Sequence, residues 1–416
     1  IVIGDWSSDV CSSDLNKMLQ GKTVLLGVTG GIAAYKMPNV ARMLKKMHCN
    51  VHVLMTQNAT NFITATTFET LTGNKCLIDT FDRNFEFSVE HVALAKQADL
   101  VLLAPATANV IGKIANGIAD DMLTTTVMAC TCKVLVAPAM NHNMYHNSIV
   151  QENLEKLKRH GYEMIDPVCG MLANGDTGDG KLPSEETLVE YVLRELAFEK
   201  DMQGLKVLVT AGPTQEAIDP VRFISNHSTG KMGYAIAKNA MLRGAEVTLV
   251  TGRTALEPPM FVKTVPVTSA KDMYQAVMEC AKEQDIIVKA AAVADYTPAH
   301  TADEKIKKSE GELSLALEKT TDILAELGKN KGNTVLCGFS METEHMLENS
   351  RAKRKKKNLD MIAANNLKQQ GAGFAGDTNV LTLITEDWEK ELALMSKDEA
   401  AKCLLDELLK IKKNKK

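Results

Sequence analysis

Long apolar runs, paired cysteines and a strong charge of either sign are all missing from this chain. No stretch approaches the roughly 18 consecutive apolar residues that a membrane-spanning helix needs, so no membrane partner is expected. Lysine and arginine total 48 against 52 aspartates and glutamates, a formal net charge of -4, which argues against a nucleic-acid partner. The nine cysteines are scattered without a CxxC spacing, and Cys76, Cys280, Cys337 and Cys403 stand in apolar contexts. Buried free thiols in a reducing compartment are expected, hence a cytoplasmic location.

The remaining composition fits a two-domain globular chain. At 416 residues it exceeds one ordinary core, and 45% hydrophobic with 24% charged residues is an ordinary soluble composition. The first stretch, IVIGDWSSDVCSSDL, has no helical or strand period continuous with the rest of the chain and lacks the basic start and apolar stretch of a signal peptide. It resembles translated sequencing-adapter sequence. Residues 1–17, with Trp6 and Cys11, are therefore expected to be a non-native extension, and the native start is placed near Met18. The boundaries expected are 18–198 for the first domain, 199–204 for a linker, 205–411 for the second domain and 412–416 for a solvated basic tail.

Two stretches share one layout: a β-branched apolar run, a glycine turn, then a helical pattern. One runs from Thr23 through Gly30-Gly31 to Lys36, the other from Val207 through Gly212 to Gly230-Lys231-Met232-Gly233. A strand feeding a glycine turn at a helix N-terminus suits phosphate, so two nucleotide sites are expected. Strands are predicted at 23–28, 51–55, 100–104 and 133–137, then at 206–210, 246–251, 286–289, 334–339, 361–364 and 380–384. Helices are predicted at 33–46, 91–98, 108–113, 120–129, 150–160 and 184–198, then at 234–243, 270–282, 322–328, 341–357 and 397–411. Continuous apolar strands between amphipathic helices imply α/β architecture: two doubly wound, mostly parallel sheets, flavodoxin-like and then Rossmann-like.

In the first half, Gly30-Gly31, Ala104-Pro105-Ala106-Thr107-Ala108-Asn109 and Pro138-Ala139-Met140-Asn141-His142-Asn143-Met144 all come after strand candidates, where α/β sheets bind ligands. His91 precedes Val92-Ala93-Leu94-Ala95 and should open a helix. His142 and His146 lie four apart, but no HExxH and no third ligand stands by in the sequence, so metal is not favoured there. These motifs resemble the flavin-dependent cysteine decarboxylases, phosphopantothenoylcysteine decarboxylase among them, over residues 20–195. The resemblance implies bound FMN, with Gly30, Gly31, Ile32, Thr56, Ala104, Pro105, Ala106, Thr107 and Asn109 around it. It implies His91 as the active-site base, Asn141 on the substrate carboxylate, and Met140 and Met144 as substrate clamp. Loss of CO2 from a cysteine carboxylate leaves no stabilised carbanion unless the thiol-bearing carbon is first oxidised to a thioaldehyde, which is work for a flavin. The family's flap carries a cysteine as final proton donor where this chain has Asn174. Cys169, five residues earlier, is the candidate replacement; the alternatives are another acid, or a reaction that stops at the enethiol.

The second half carries Thr210-Ala211-Gly212-Pro213-Thr214, Asp219-Pro220-Val221-Arg222, Asn226-His227-Ser228-Thr229-Gly230-Lys231, Ala291-Ala292-Val293-Ala294-Asp295, Glu304-Lys305-Ile306-Lys307-Lys308 and Lys357-Asn358-Leu359-Asp360. A Ser/Thr/Asn/Gly/Lys loop before a helix is an anion cradle, although the GxxxxGKS/T spacing is absent. Lys353 and Lys357 share one helical face. This half resembles phosphopantothenate–cysteine ligase of the bacterial CTP-using type over residues 204–410. The resemblance implies Asn226 on the phosphopantothenate or acyl-cytidylate, Lys305 on the charged activation state, and Asp295, Phe339, Lys353 and Lys357 framing CTP. Magnesium accompanies the triphosphate, with ligands the sequence leaves unknown. Thr320-Thr321-Asp322-Ile323 replaces the usual Asn-Pro-Asp-Ile, and Thr321, Asp322, Ile323 and Leu324 are implied to touch the nucleotide.

Together the two resemblances imply a bifunctional enzyme of coenzyme A biosynthesis. Its substrates would be 4′-phosphopantothenate, L-cysteine and CTP, and its form a homo-oligomer built from decarboxylase trimers and ligase dimers. The alternative is a sound ligase joined to a decarboxylase that stalls at the enethiol.

Overall fold

The computed structural model describes residues 17–80, 90–171, 177–307, 314–342, 345–366 and 376–415. The chain divides between Phe198 and Glu199 into two compact units.

The first unit is built on five parallel strands, β1 (Thr23–Val28), β2 (Asn50–Met55), β3 (Leu100–Ala106), β4 (Lys133–Pro138) and β5 (Glu163–Met164), in the order β2-β1-β3-β4-β5. That is the flavodoxin order, and it reverses between β1 and β3. Every residue of β3 is buried, as a strand covered on both faces requires. On one face Leu103, Val136, Val110, Ile111, Leu123 and Leu154 join strands to the helices Ala108–Ala115, Met122–Ala129 and Ser148–Arg159. The helix Met37–Lys46 packs against Glu185–Leu196. The single helix expected over 33–46 is corrected. The chain instead makes a 3-10 turn, Ile32–Lys36, before Met37–Lys46, because Pro38 has no N–H and fits only a first turn. β6 (Val168–Met171) and β7 (Thr177–Lys181) pair as an antiparallel hairpin.

The second unit holds β8 (Lys206–Ala211), β9 (Glu246–Thr251), β10 (Lys263–Pro266), β11 (Ile286–Lys289), β12 (Val335–Glu342), β13 (Met361–Asn366), β14 (Leu381–Ile384) and β15 (Glu389–Glu391). Their order is β10-β9-β8-β11-β12-β13-β14-β15, parallel through β13 and antiparallel beyond it. The first six keep the Rossmann order, with its switch point between β8 and β11.

Two expectations are corrected here. Met341 lies in β12, and the next helix is only Met346–Lys356. The C-terminal helix runs Lys397–Asn414, and the basic tail is not merely solvated. Lys412 reaches Asp285 at 2.9 Å and Lys415 reaches Asp360 at 2.7 Å. Both carboxylates also accept strand N–H groups, from Lys206 and Leu336, so the tail closes a charged row at the sheet's amino edge. Of the cysteines expected to be buried, Cys76 and Cys337 are, while Cys280 and Cys403 are half-buried on helices.

Candidate functional sites

In the first unit the carboxyl ends of four strands are tied together. The Thr29 hydroxyl, fully buried after β1, donates to the Pro105 carbonyl at 2.5 Å and accepts from the Thr107 N–H at 3.0 Å. Ala139 N–H donates to the Ala106 carbonyl at 3.0 Å, joining β4 to β3. Gly30 meets the turn after β2 so closely that a Cβ would lie 2.5 Å from Asn58 Cβ; only glycine fits. This edge gathers Gly30, Gly31, Ile32, Thr56, Ala104, Pro105, Ala106, Thr107 and Asn109. Ala104 and Ala106 are buried sheet residues, whereas Ile32 and Asn109 are exposed.

Thr56 directly follows β2 and is buried, yet its hydroxyl has no hydrogen-bond partner among the described residues. Such a group costs free energy unless something outside the fold satisfies it. A hydroxyl- and phosphate-bearing cofactor such as FMN would do so, and the small residues around Gly30 leave its backbone approachable.

Asn141 caps the short helix His142–Tyr145, with its side-chain oxygen accepting from Asn143 N–H at 2.9 Å. That bond fixes the amide's orientation and leaves its NH2 to donate, as a carboxylate ligand needs. The hairpin docks beside it. Met140 N–H donates to the Gly180 carbonyl at 3.0 Å, Asp179 N–H donates to His142 Nδ1 at 3.2 Å, and His146 Nε2 lies 3.1 Å from Asp179 Oδ2. The view that His142 and His146 lack a third ligand is thereby corrected, since folding brings Asp179 to them. The three groups already satisfy one another as a clasp on the hairpin. Cys169 is exposed on β6. Asn174 lies outside the described residues. His91 is half-buried in the first turn of Glu90–Gln97, which packs on Met122–Ala129. Met140 packs on the core and Met144 is exposed.

In the second unit the DPVR loop is a clamp that sequence reasoning missed. Buried Asp219 accepts from Arg222 Nε and Nη2 at 2.9 and 2.5 Å and from the N–H groups of Val221, Arg222 and Ile306. The Arg222 guanidinium, aided by those N–H groups, holds the Asp219 carboxyl well below the usual carboxylate range. Arg222 also donates to the Ile306 carbonyl at 2.8 Å. The segment carrying exposed Lys305 is thus fastened to the loop preceding Asn226. Asn226 in turn donates to the Ala292 carbonyl at 3.0 Å, and Thr214 binds Ala294 N–H at 3.0 Å.

Lys353 Nζ donates to the Phe339 carbonyl at 3.4 Å, and Lys357 pairs with Asp322 at 2.8 Å. Both lysines therefore face the sheet edge. The charges of Lys357, Asp322, Lys353 and Asp295 converge on Lys289, a residue the sequence motifs do not mark. Thr321 is exposed. Ile323 and Leu324, implied to touch nucleotide, have their side chains in the hydrophobic core, so only their backbone is free to do so.

A flavodoxin-ordered unit and a Rossmann-ordered unit, each with its polar residues at the sheet's carboxyl edge, define a two-site α/β protein built for nucleotide-like ligands. Residues 12–197 match the family model "Flavoprotein", and residues 202–411 match "DNA/pantothenate metabolism flavoprotein C-terminal domain". The chain is 45% identical over 400 residues to the coenzyme A biosynthesis bifunctional protein CoaBC of Bacillus subtilis, covering 95% of this chain and 98% of that one. It is 42% identical to its Escherichia coli counterpart over 94% and 97% of the two chains. A crystal structure of a CoaBC C-terminal domain is 41% identical and covers 52% of this chain and all of that one, with a TM-score of 0.46. The chain belongs to the CoaBC family of bifunctional coenzyme A biosynthesis proteins. Among the described residues, no helix is long and apolar enough to cross a membrane.

Proposed function

We propose that the second unit joins 4′-phosphopantothenate to L-cysteine using CTP, and that the first unit decarboxylates the product to 4′-phosphopantetheine with FMN. The observation carrying this reading is the 45% identity that extends over 98% of a bifunctional relative, so that both halves are represented.

In the ligase unit a carboxylate must be activated before an amine attacks it. Attack on the α-phosphate of CTP gives an acyl-cytidylate and pyrophosphate, and the cysteine amine then displaces CMP. Lys305 faces the charge developing in the first step, held in place by the Asp219–Arg222 clamp on its neighbour Ile306. Asn226 grips the acyl group, and Asp295, Lys353 and Lys357 surround the nucleotide with its magnesium.

In the flavin unit Thr56, Thr107, Asn109 and the Gly30-Gly31 backbone hold FMN. That cofactor supplies hydride acceptance from the thiol-bearing carbon and hydride return. Asn141 donates its NH2 to the substrate carboxylate, His91 handles the proton at the thiol end, and Met140 and Met144 close on the substrate. Cys169, on a hairpin docked against the Asn141 segment, is the proton donor to carbon. The reading of a decarboxylase that stalls at the enethiol finds no support among the relatives. The cytoplasm and an assembly of decarboxylase trimers with ligase dimers complete the proposal.

The test is product mass after incubation with FMN, phosphopantothenate, cysteine, CTP and magnesium. Saturated phosphopantetheine is expected. Accumulated phosphopantothenoylcysteine, or a product two hydrogens lighter than phosphopantetheine, would overturn the decarboxylase half.

A further inference from the structure

His142 and His146 stand one helical turn apart, with His146 N–H donating to the His142 carbonyl at 3.0 Å, so both imidazoles lie on one side of the chain where it enters the helix Ser148–Arg159. Their ring centroids are 4.4 Å apart. The hairpin brings Asp179 to them from 33 positions away along the chain. Its close approach depends on Gly178, where a Cβ would lie 2.8 Å from His142 Nδ1. One nitrogen of each histidine and one Asp179 oxygen all lie within 4.8 Å of one another. Among the described residues this is the one set of three histidine, cysteine or carboxylate side chains so placed. The His146 and Asp179 side chains are 50% and 44% exposed, which leaves the cluster open to ions from solvent.

We propose that His142, His146 and Asp179 form a binding site for a divalent ion of the zinc class, which cross-links β7 to the short helix after Asn141. Two imidazoles and one carboxylate suit zinc, cobalt or nickel, whereas magnesium and calcium take oxygen ligands. Around a tetrahedral ion at zinc bond lengths, neighbouring ligand atoms lie about 3–3.5 Å apart. His146 Nε2 already stands 3.1 Å from Asp179 Oδ2. The His142 ring closes the remaining gap, at most about 1.5 Å, by a small side-chain rotation. It thereby exchanges the hydrogen bond from Asp179 N–H for a metal bond. Each imidazole binds through a lone pair, so the His146 proton that faces Asp179 moves to Nδ1. Three protein ligands leave a fourth position for water. Occupancy fastens the hairpin that carries Cys169 to the segment that carries Asn141. Metal binding here needs neither reaction, so its failure would leave the decarboxylase reading untouched.

The test titrates the full FMN-loaded chain with cobalt and with zinc, in excess magnesium so that oxygen-only sites are filled. Cobalt is read by its d–d absorption on the long-wavelength side of the flavin bands, and zinc by calorimetry. The expected result is one ion per chain, with a melting temperature that rises with metal concentration. His146→Gln and Asp179→Asn should each weaken binding by at least about tenfold, as loss of a ligand from a three-residue site requires. X-ray absorption of the zinc-loaded, unmutated protein gives a reading that does not depend on the variants folding. Two imidazoles and a carboxylate predict only nitrogen and oxygen neighbours, at about 2.0–2.2 Å. A sulfur neighbour at about 2.3 Å would assign the ion to Cys169 or another thiol and overturn the inference. No binding in excess magnesium, or binding unchanged in both variants, overturns it as well.

Discussion

Replacing Thr56 by valine should make the flavin-free protein more stable and the flavin complex weaker. The residue has extended backbone angles, φ -71° and ψ 154°, which suit a β-branched side chain of the same shape. Its hydroxyl is buried and unpartnered among the described residues, so the substitution removes a desolvated polar group and breaks no internal bond. An unsatisfied buried hydroxyl costs about 1–3 kcal/mol. For a unit of this size that corresponds to a melting temperature higher by roughly 2–10 °C. The bond lost to FMN is worth about 1–3 kcal/mol, the upper end applying to a charged phosphate, which is a factor of roughly 5 to 150 in Kd. Thermal denaturation of flavin-free protein and fluorescence titration with FMN read the two effects separately. A lower melting temperature without FMN, or unchanged FMN affinity, would refute the reasoning.

The geometry supports three further substitutions or treatments. Gly180→Ala should abolish decarboxylation and spare CTP-dependent condensation, because at φ 121° its methyl would overlap the Met140 carbonyl oxygen and unseat the hairpin; parallel assays of the two activities check this. Asp219→Asn should lower ligase turnover at least tenfold without changing flavin binding, since it loosens the clamp beside Lys305. Because its native carboxyl titrates below the ordinary range, the stability Asp219 adds is present above that range and lost in strong acid, so the variant's acid-unfolding profile should flatten. Iodoacetamide at pH 8 should label exposed Cys169 before Cys49 or Cys76, whose thiols burial pushes up to about 12. The stability those two protonated thiols contribute persists below about pH 9 and is lost as pH rises through 12, and peptide mass spectrometry with alkaline unfolding checks both statements.

The parts of the fold legible in the sequence are those with a strong period. β1 and β11 have the predicted bounds because a continuous apolar run between helical patterns has few other interpretations. Two-residue β5 and the exposed edge strand β15 carry too little apolar signal to be seen. Met341 reads as helical because the end of β12 runs without a turn residue toward the charged helix beyond it. In the sites, the motifs mark the loops but not their tertiary partners. Asp219 reads as a turn residue until Ile306 arrives from 87 positions away. Asp179 cannot be joined to His146 by any local rule. Lys289 reads as the end of a strand, and only burial beside Lys353 and Lys357 singles it out.

The central claim is that one chain carries out two chemistries in order, ligation and then decarboxylation. It is tested most directly with L-cysteine labelled with 13C in its carboxyl group, supplied to the FMN-loaded protein with phosphopantothenate and magnesium. Labelled CO2 is predicted to appear only when CTP is also present. Labelled CO2 without CTP, or CTP consumption with all label retained in phosphopantothenoylcysteine, would contradict the account.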